Sequence, residues 1–379
     1  ILFYMGSFHI GGAEKQLMHM LNYLSQKEFE LILIVRTVEG PNKNLMPKSV
    51  KVIDLNTWTK IKKKSFFIKI VDEIKSILFL RSLFKNQKPD FVYGNQLSCN
   101  YHILASAFLL RKYFRPRLVF SIVNNPKKYT IFGKYVISNL YNNAEKIYAC
   151  ATDLKNFLEN STNIKNEKID VMYNCISEVN EGEKIHSDET INKVFRRNKH
   201  NIIFVSRIIP QKGTLDLLKA FKIIRNSIDC NLIIIGDGVD MKKMKNNAKK
   251  FGLENNVIFL GNIPNSYEYV AKADAFVYTS KWDGLATVLL ESFSVLTPVI
   301  ATNAEFGTND VVIHKKTGML IPVGDYEGVA FATIEILKNK ELTKTIIKNA
   351  EKRLSENFLS SKAFVNIENY FSAYNRENN

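Results

Sequence analysis

The stretch KWDGLATVLLESFSVLTPVIAT, residues 281–302, sets a carboxylate inside an apolar helical run. Glu291 stands where a Leu would pack better, and an ionised carboxylate among apolar side chains is costly unless something pairs with it. It is either satisfied in the core or turned toward a ligand. Asp283 lies eight residues earlier, ahead of a helix expected to begin near Leu285 or Ala286. Eight residues at the helical rise span ~12 Å. That is too far for an obvious acid–base dyad and comparable with the two ends of a nucleotide sugar. The amides around Gly284, Leu285, Ala286 and Thr287 are then helix-start donors, and a diphosphate held there would lie between the two carboxylates.

Other loops carry matching chemistry. SRIIPQKG, residues 206–213, ends a strand with Arg207 and, five residues on, Lys212 beside Gly213. Two cations converging on one βα loop can neutralise a diphosphate, Arg bidentately. In GSFHIGGAEK the pair Gly11 and Gly12 opens a strand-to-helix turn where backbone amides can approach an anion. That loop is neither a P-loop nor a dinucleotide fingerprint, since GxxxxGK[ST] and GxGxxG are both missing. GDG at 236–238 reads as a turn with Asp237 as a cap, and GNIPN at 261–265 would set Ile263 backbone groups beside a bound base.

The elements that must position these loops are short apolar runs alternating with helical patterns. Strands are expected at Ile1–Met5, Leu31–Val35, Phe91–Tyr93, Leu118–Ile122, Lys146–Ala149 and Ile169–Met172. The series resumes at Asn201–Val205, Asn231–Ile235, Val257–Leu260, Ala275–Tyr278, Pro298–Ala301 and Met319–Ile321. Strands separated by helices mean βαβ units and parallel sheets with helices on both faces, and ligands at the carboxyl ends of the strands. The pattern restarts after the polar segment Ser177–His200. The expected organisation is therefore a Rossmann-like domain over 1–176, a linker over 177–200, a second over 201–360, and a C-terminal helix over 361–379 that could return to the first. A hinge in the linker predicts closure on donor binding.

Length and composition agree with two soluble domains. Of 379 residues 46% are hydrophobic and 24% charged, and no run approaches the 18 apolar residues of a membrane span. The opening ILFYMGS reads as a first strand rather than a targeting leader. Four scattered cysteines make neither a metal spacing nor a disulfide framework and point to a reducing, cytoplasmic location. The net charge of +16 is uneven: through Cys150 there are 23 Lys and Arg against nine Asp and Glu. That half implies a polyanionic partner. A nucleic acid is disfavoured, because the lysines are not interleaved with a reading module and the second half is nearly neutral.

On the residues at 283–302 the chain resembles the retaining glycosyltransferases of family four, which have the GT-B fold: two facing Rossmann-like, doubly wound α/β domains with a cleft between them. DGLATVLLESFSVLTPVIAT stands where the family has its E-x7-E signature. The resemblance extends through GGAE at 11–14, SRIIPQKG at 206–213, IIGDG at 234–238, VIFLGNI at 257–263 and KTGMLIPVGD at 316–325. It implies transfer of a sugar from a nucleotide donor, a UDP-sugar foremost, onto a glycan. Arg207 and Lys212 would clamp the donor diphosphate and Glu291 would accept from the ribose hydroxyls. Asp283 would face the donor sugar, with Gly284, Leu285 and Ala286 offering amides. Gly11 and Gly12 would lie near the reaction centre. Front-face substitution with retention follows, with no cofactor and no metal, because the cations and the helix start stabilise the departing diphosphate.

Two departures stand out. Asp283 is one methylene shorter than the family Glu. The first-domain loop that often carries His reads FSIVNNP, leaving Asn124 or Asn125 there, with His9 in the first loop as a substitute. Sugar choice would rest on 283–287 and on EFGTND at 305–310. The segment KIKKKSFFIKIVDEIKSILFLRSLFK at 60–85 joins a Lys cluster to apolar residues. It packs on its own sheet or lies against an anionic membrane. A basic acceptor domain suits a polyprenyl-diphosphate-linked glycan at the inner face of the plasma membrane. Alternatives are a soluble acceptor or a sugar-nucleotide epimerase, the latter turning over donor without any acceptor.

Overall fold

The computed structural model of the chain describes residues 1–8, 11–40, 43, 45–55, 66–108, 110–178, 191, 194–195, 199–263 and 265–377. His9, Lys60 to Lys64 and most of the segment 177–200 lie outside the described residues. The chain folds into two compact units, Ile1–Cys175 together with Ser360–Asn379, and Ile176–Leu359.

The first unit is built on seven strands: β1 (Leu2–Ser7), β2 (Ile32–Thr37), β3 (Lys51–Asp54), β4 (Phe91–Gly94), β5 (Arg117–Ile122), β6 (Lys146–Ala149) and β7 (Ile169–Val171). They pair in parallel in the order β3-β2-β1-β4-β5-β6-β7. Strands covered on both faces need no polar side, which is why most of them read as unbroken apolar runs. The sequence reading missed β3: its KVID is exposed or half-buried at the sheet edge, so no apolar run announces it.

Helix α1 (Gly12–Leu24) follows β1, α2 (Phe66–Gln87) leads into β4, α3 (Leu97–Phe108) follows β4, and α4 (Ile131–Tyr135) lies beyond β5. Steps β3→β4, β4→β5 and β5→β6 run the same way across the sheet, so right-handed crossovers put α2, α3 and α4 on one face and α1 on the other. A ring contact of 5.5 Å between Tyr101 and Phe132 joins α3 to α4. On the α1 face, Leu17, Leu21 and Leu24 share a core with Phe364, Ile367 and Phe371, which lie in and just before the helix Val365–Glu377.

The second unit has six parallel strands: β8 (His200–Val205), β9 (Cys230–Ile235), β10 (Val257–Gly261), β11 (Ala275–Tyr278), β12 (Val299–Thr302) and β13 (Met319–Ile321). Their order is β10-β9-β8-β11-β12-β13. Each sheet therefore reverses its strand order once, between β1 and β4 in the first and between β8 and β11 in the second. Crevices at the carboxyl ends of such switch points are where open α/β sheets bind ligands.

Candidate functional site

At the β8/β11 switch point three βα loops are laced together. Gln211 donates from Nε2 to the Trp282 carbonyl at 2.7 Å, and Lys281 N donates to the Gln211 carbonyl at 2.9 Å. Thr279 Oγ1 donates to the Lys212 carbonyl at 2.9 Å. Gly213 makes this approach possible. Its φ is +64°, and a Cβ there would run into the Thr279 carbonyl oxygen. The loop after β12 joins in the same manner. Asp283 N donates to the Glu305 carbonyl at 3.1 Å, and Gly307, at φ +81°, lets the backbone of Leu285 come within contact of its Cα.

The lacing converges on a buried charge pair. Lys212 ends the short turn Pro210–Lys212 and is 7% exposed. Its Nζ pairs with Asp283 Oδ2, and the Tyr278 hydroxyl donates to that same oxygen. The remaining Asp283 oxygen, Oδ1, accepts from Gly284 N at 3.1 Å. Lys212 Nζ also lies 5.5 Å from the centre of the Tyr278 ring, within cation–π range. Burial, reinforced by the Asp283 charge, pushes the Tyr278 hydroxyl well above its ordinary pKa. It is therefore a donor throughout the physiological range.

The other expected residues surround this pair. Arg207 is exposed just beyond β8 and has no carboxylate partner among the described residues. The helix expected near Leu285 or Ala286 starts at Thr287 and runs Thr287–Ser294; Leu285 is buried by the loop packing instead. Ala286 caps that helix with no side-chain hydrogen bond, which leaves its opening amides without a side-chain acceptor at the cap. Leu289, Leu290, Ser292 and Phe293 are buried, whereas Glu291 is half-buried and so is not a core position. Ile263 is half-buried beyond β10. Asp237 does not cap the next helix: its carboxylate accepts from Gly238 N at 2.7 Å, and Asp240 stands at the start of Met241–Lys250.

The first unit presents a second loop cluster at its own switch point. Gly11, extended at φ −151°, precedes α1 without a side-chain cap, and the space over Gly12 is open where a Cβ would stand. The start of α1 is pinned from β4 and from the end of the unit. Asn95 donates to the Ala13 carbonyl at 3.0 Å, Gln96 to Glu14 at 2.7 Å, and Gln16 to the Cys175 carbonyl at 2.6 Å. Asn95 is 3% exposed, yet its Oδ1 meets no donor among the described residues. Of the two asparagines after β5, Asn125 is buried with Oδ1 accepting from Lys127 N at 2.9 Å, a turn-capping role. Asn124 is exposed and bonds the Tyr129 hydroxyl. Sequence reasoning missed Asn95 and Tyr278; the signal was present, since Tyr278 closes β11 and Asn95 follows β4, both strands that border a switch point.

Comparison with known proteins agrees with this arrangement. Residues 10–178 match Glycosyltransferase Family 4 and residues 187–353 match Glycosyl transferases group 1. The N-acetyl-alpha-D-glucosaminyl L-malate synthase of Bacillus anthracis is 31% identical over 170 residues, 45% of this chain and 44% of that protein. Thus the chain matches less than half the length of that relative. CapM of Staphylococcus aureus, a capsular polysaccharide biosynthesis glycosyltransferase, is 26% identical across 82% of this chain and 83% of its own. The UDP-Gal:alpha-D-GlcNAc-diphosphoundecaprenol alpha-1,3-galactosyltransferase of Escherichia coli is 24% identical across 92% and 90%. Among solved structures, Anabaena Alr3699/HepE in complex with UDP-glucose superposes with a TM-score of 0.79 at 21% identity, covering 98% of this chain and 99% of that one. Two parallel doubly wound sheets with a cation and a helix start at the second switch point, under those two adjoining matches, make this chain a glycosyltransferase of family 4 with the GT-B fold.

Proposed function

We propose that the chain transfers a hexosyl or N-acetylhexosaminyl unit from a UDP-sugar to a lipid-linked glycan, with retention of anomeric configuration. The observation that carries the donor half is the buried Lys212, held at the β8/β11 switch point beside an uncapped helix start and a half-buried Glu291. Lys212 and the exposed Arg207 neutralise the diphosphate, and Glu291 accepts from the ribose. Asp283 orients the sugar. Breaking the sugar–phosphate bond leaves charge on the diphosphate, which those cations and amides stabilise without a metal. The acceptor oxygen forms its bond to the anomeric carbon from the same face, and its proton passes to the departing phosphate. UDP is the preferred nucleotide by analogy with the HepE complex and with the galactosyltransferase named above.

The acceptor half is read from the first unit. Gly12 leaves open backbone at its switch point, and Asn95 beyond β4 and Asn124 beyond β5 are neutral side chains that can orient a hydroxyl. The same unit carries the excess positive charge and an apolar surface. On α2, Leu80 and Phe84 are buried while Ile70, Val71, Ile74 and Leu78 are exposed. On α4, Ile131 is 89% and Phe132 62% exposed, between exposed Lys127, Lys128 and Lys134. An anionic leaflet carrying the lipid-linked acceptor complements such a face. Peripheral attachment to the cytoplasmic membrane surface completes the reading.

The experiment is thermal stabilisation by UDP, GDP, ADP, CMP and their sugars, with EDTA present throughout. A ligand at 100 times its dissociation constant stabilises by roughly 2.7 kcal/mol. UDP or a UDP-sugar is expected to raise the melting temperature of the wild type but not of Glu291→Ala. Stabilisation by none of them, or only after a divalent metal is restored, would sink the proposal.

A further inference from the structure

We infer that Tyr278 is a positioning residue of the donor site: by holding the Asp283 carboxylate it keeps the Lys212 amine available to the donor diphosphate. The inference rests on the donor-site reading above.

The geometry is specific. Tyr278 is the last residue of β11 and 1% exposed, and a phenol buried that deeply needs a hydrogen-bond partner. It finds one five residues ahead, on the Asp283 oxygen that also receives Lys212. The other oxygen is taken by Gly284 N. Asp283 is thus fixed through both oxygens by three donors from a strand end, a loop amide and a second loop. Tyr278 touches the cation as well, with its ring under the amine.

The arrangement resolves a conflict within the site. A buried ammonium beside a lone carboxylate is drawn to it and lost to any other anion. Each further donor on the carboxylate lowers its demand on the amine, because its lone pairs are already occupied. Lys212 has three N–H donors and gives one to Asp283, so the others can point to a phosphate. The phenol is a neutral donor, so it satisfies the carboxylate without adding a second charge that a phosphate would also attract. An aspartate at 283 is short enough for this five-residue link back to the end of β11.

Tyr278→Phe keeps the ring under the amine and deletes only the hydroxyl. Isothermal titration with UDP and with uridine separates positioning from a general effect on the fold. Tyr278→Phe is expected to weaken UDP about tenfold, the value of one hydrogen bond to a charged group, and to leave uridine unchanged. In the Asp283→Asn background, where no carboxylate competes for the amine, Tyr278→Phe is expected to change neither. Equal UDP affinity in wild type and Tyr278→Phe would overturn the inference while leaving the donor site intact. So would a parallel loss of uridine, or an undiminished loss in Asp283→Asn. A wild type that binds no UDP would remove the donor-site reading itself, and this inference with it.

Discussion

The carbonyl oxygen of Thr279 occupies the space in which residue 213 would carry a Cβ, so the loops after β8 and β11 can meet only through a glycine. Gly213→Ala must both adopt a positive φ, at roughly 1–2 kcal/mol, and push two backbones apart. The expected loss is at least about 2 kcal/mol in urea unfolding, together with the nucleotide-induced stabilisation. An alanine variant that keeps both would mean that the loops are not locked.

Lys212 and Asp283 are not equivalent partners. The Asp283 side chain is 22% exposed against 8% for Lys212. Asp283→Leu strands a buried ammonium, and leaving one member of a buried pair alone costs about 3–5 kcal/mol; the partial exposure of this site puts the expectation at the low end. Lys212→Met leaves a carboxylate that still has Tyr278, Gly284 and some water, and is expected to cost clearly less. Denaturant midpoints of the two variants settle the order, and equal losses would count against it.

A second polar cluster lies in the first unit. Glu73 on α2 receives His102 from α3 on one oxygen and Arg36 from the end of β2 on the other, at 2.9 Å. The hydrogen bond from His102, then the charges of His102 and Arg36, outweigh the opposing effect of burial and hold the Glu73 carboxyl down at about 2, below its ordinary 4.5. A carboxylate depressed in the folded state stabilises it above the unfolded pKa and stops doing so as pH falls through the folded one. The wild type is therefore expected to lose stability between pH 4.5 and about 2 through this group. Glu73→Gln should flatten that segment of the stability–pH curve, and an unchanged curve would assign the acid transition elsewhere.

The membrane reading is tested by flotation with phosphatidylglycerol-containing and pure phosphatidylcholine vesicles. Binding is expected only to the anionic vesicles and should weaken with salt. Ile131→Glu combined with Phe132→Glu should reduce it at least about tenfold, given roughly 1.5–3 kcal/mol for each inserted side chain. The same substitutions on an exposed surface should leave the melting temperature within a degree or so of the wild type. Undiminished flotation would move the docking face to α2 or remove it.

The sequence made much of the candidate site legible because charge in apolar surroundings has few explanations. Arg207, Lys212 and Asp283 stand in the loops that follow β8 and β11, Glu291 lies in the helix after the second of them, and the switch-point rule says which strand ends matter. Tyr278 escaped because a tyrosine closing AFVY reads as one more strand hydrophobe; its partner becomes apparent only when the chain reverses over Asp283. Asn95 escaped for a related reason, being a polar residue just after FVYG that a turn would explain equally well. The start of the 287–294 helix was placed too early because Leu285 is apolar through loop packing against Gly307, not through helical periodicity. For α2, apolar residues surround the helix, so periodicity alone gave no choice between the side that meets Leu80 and Phe84 and the side that Ile74 and Leu78 leave to solvent.

The aromatic cluster of Phe91 with Tyr370, Phe371 and Tyr374, at ring distances of 4.8–5.5 Å, closes the first unit with residues made after the second. On the ribosome, about 280 residues separate the emergence of β4 from that of its aromatic cover, and the whole second unit is synthesised in the interval. The second unit can reach its native state while the first still shows a bare apolar flank. A nascent chain of this kind is most exposed to chaperones and to aggregation in its first unit, and cutting it at Leu359 would leave that flank bare for good.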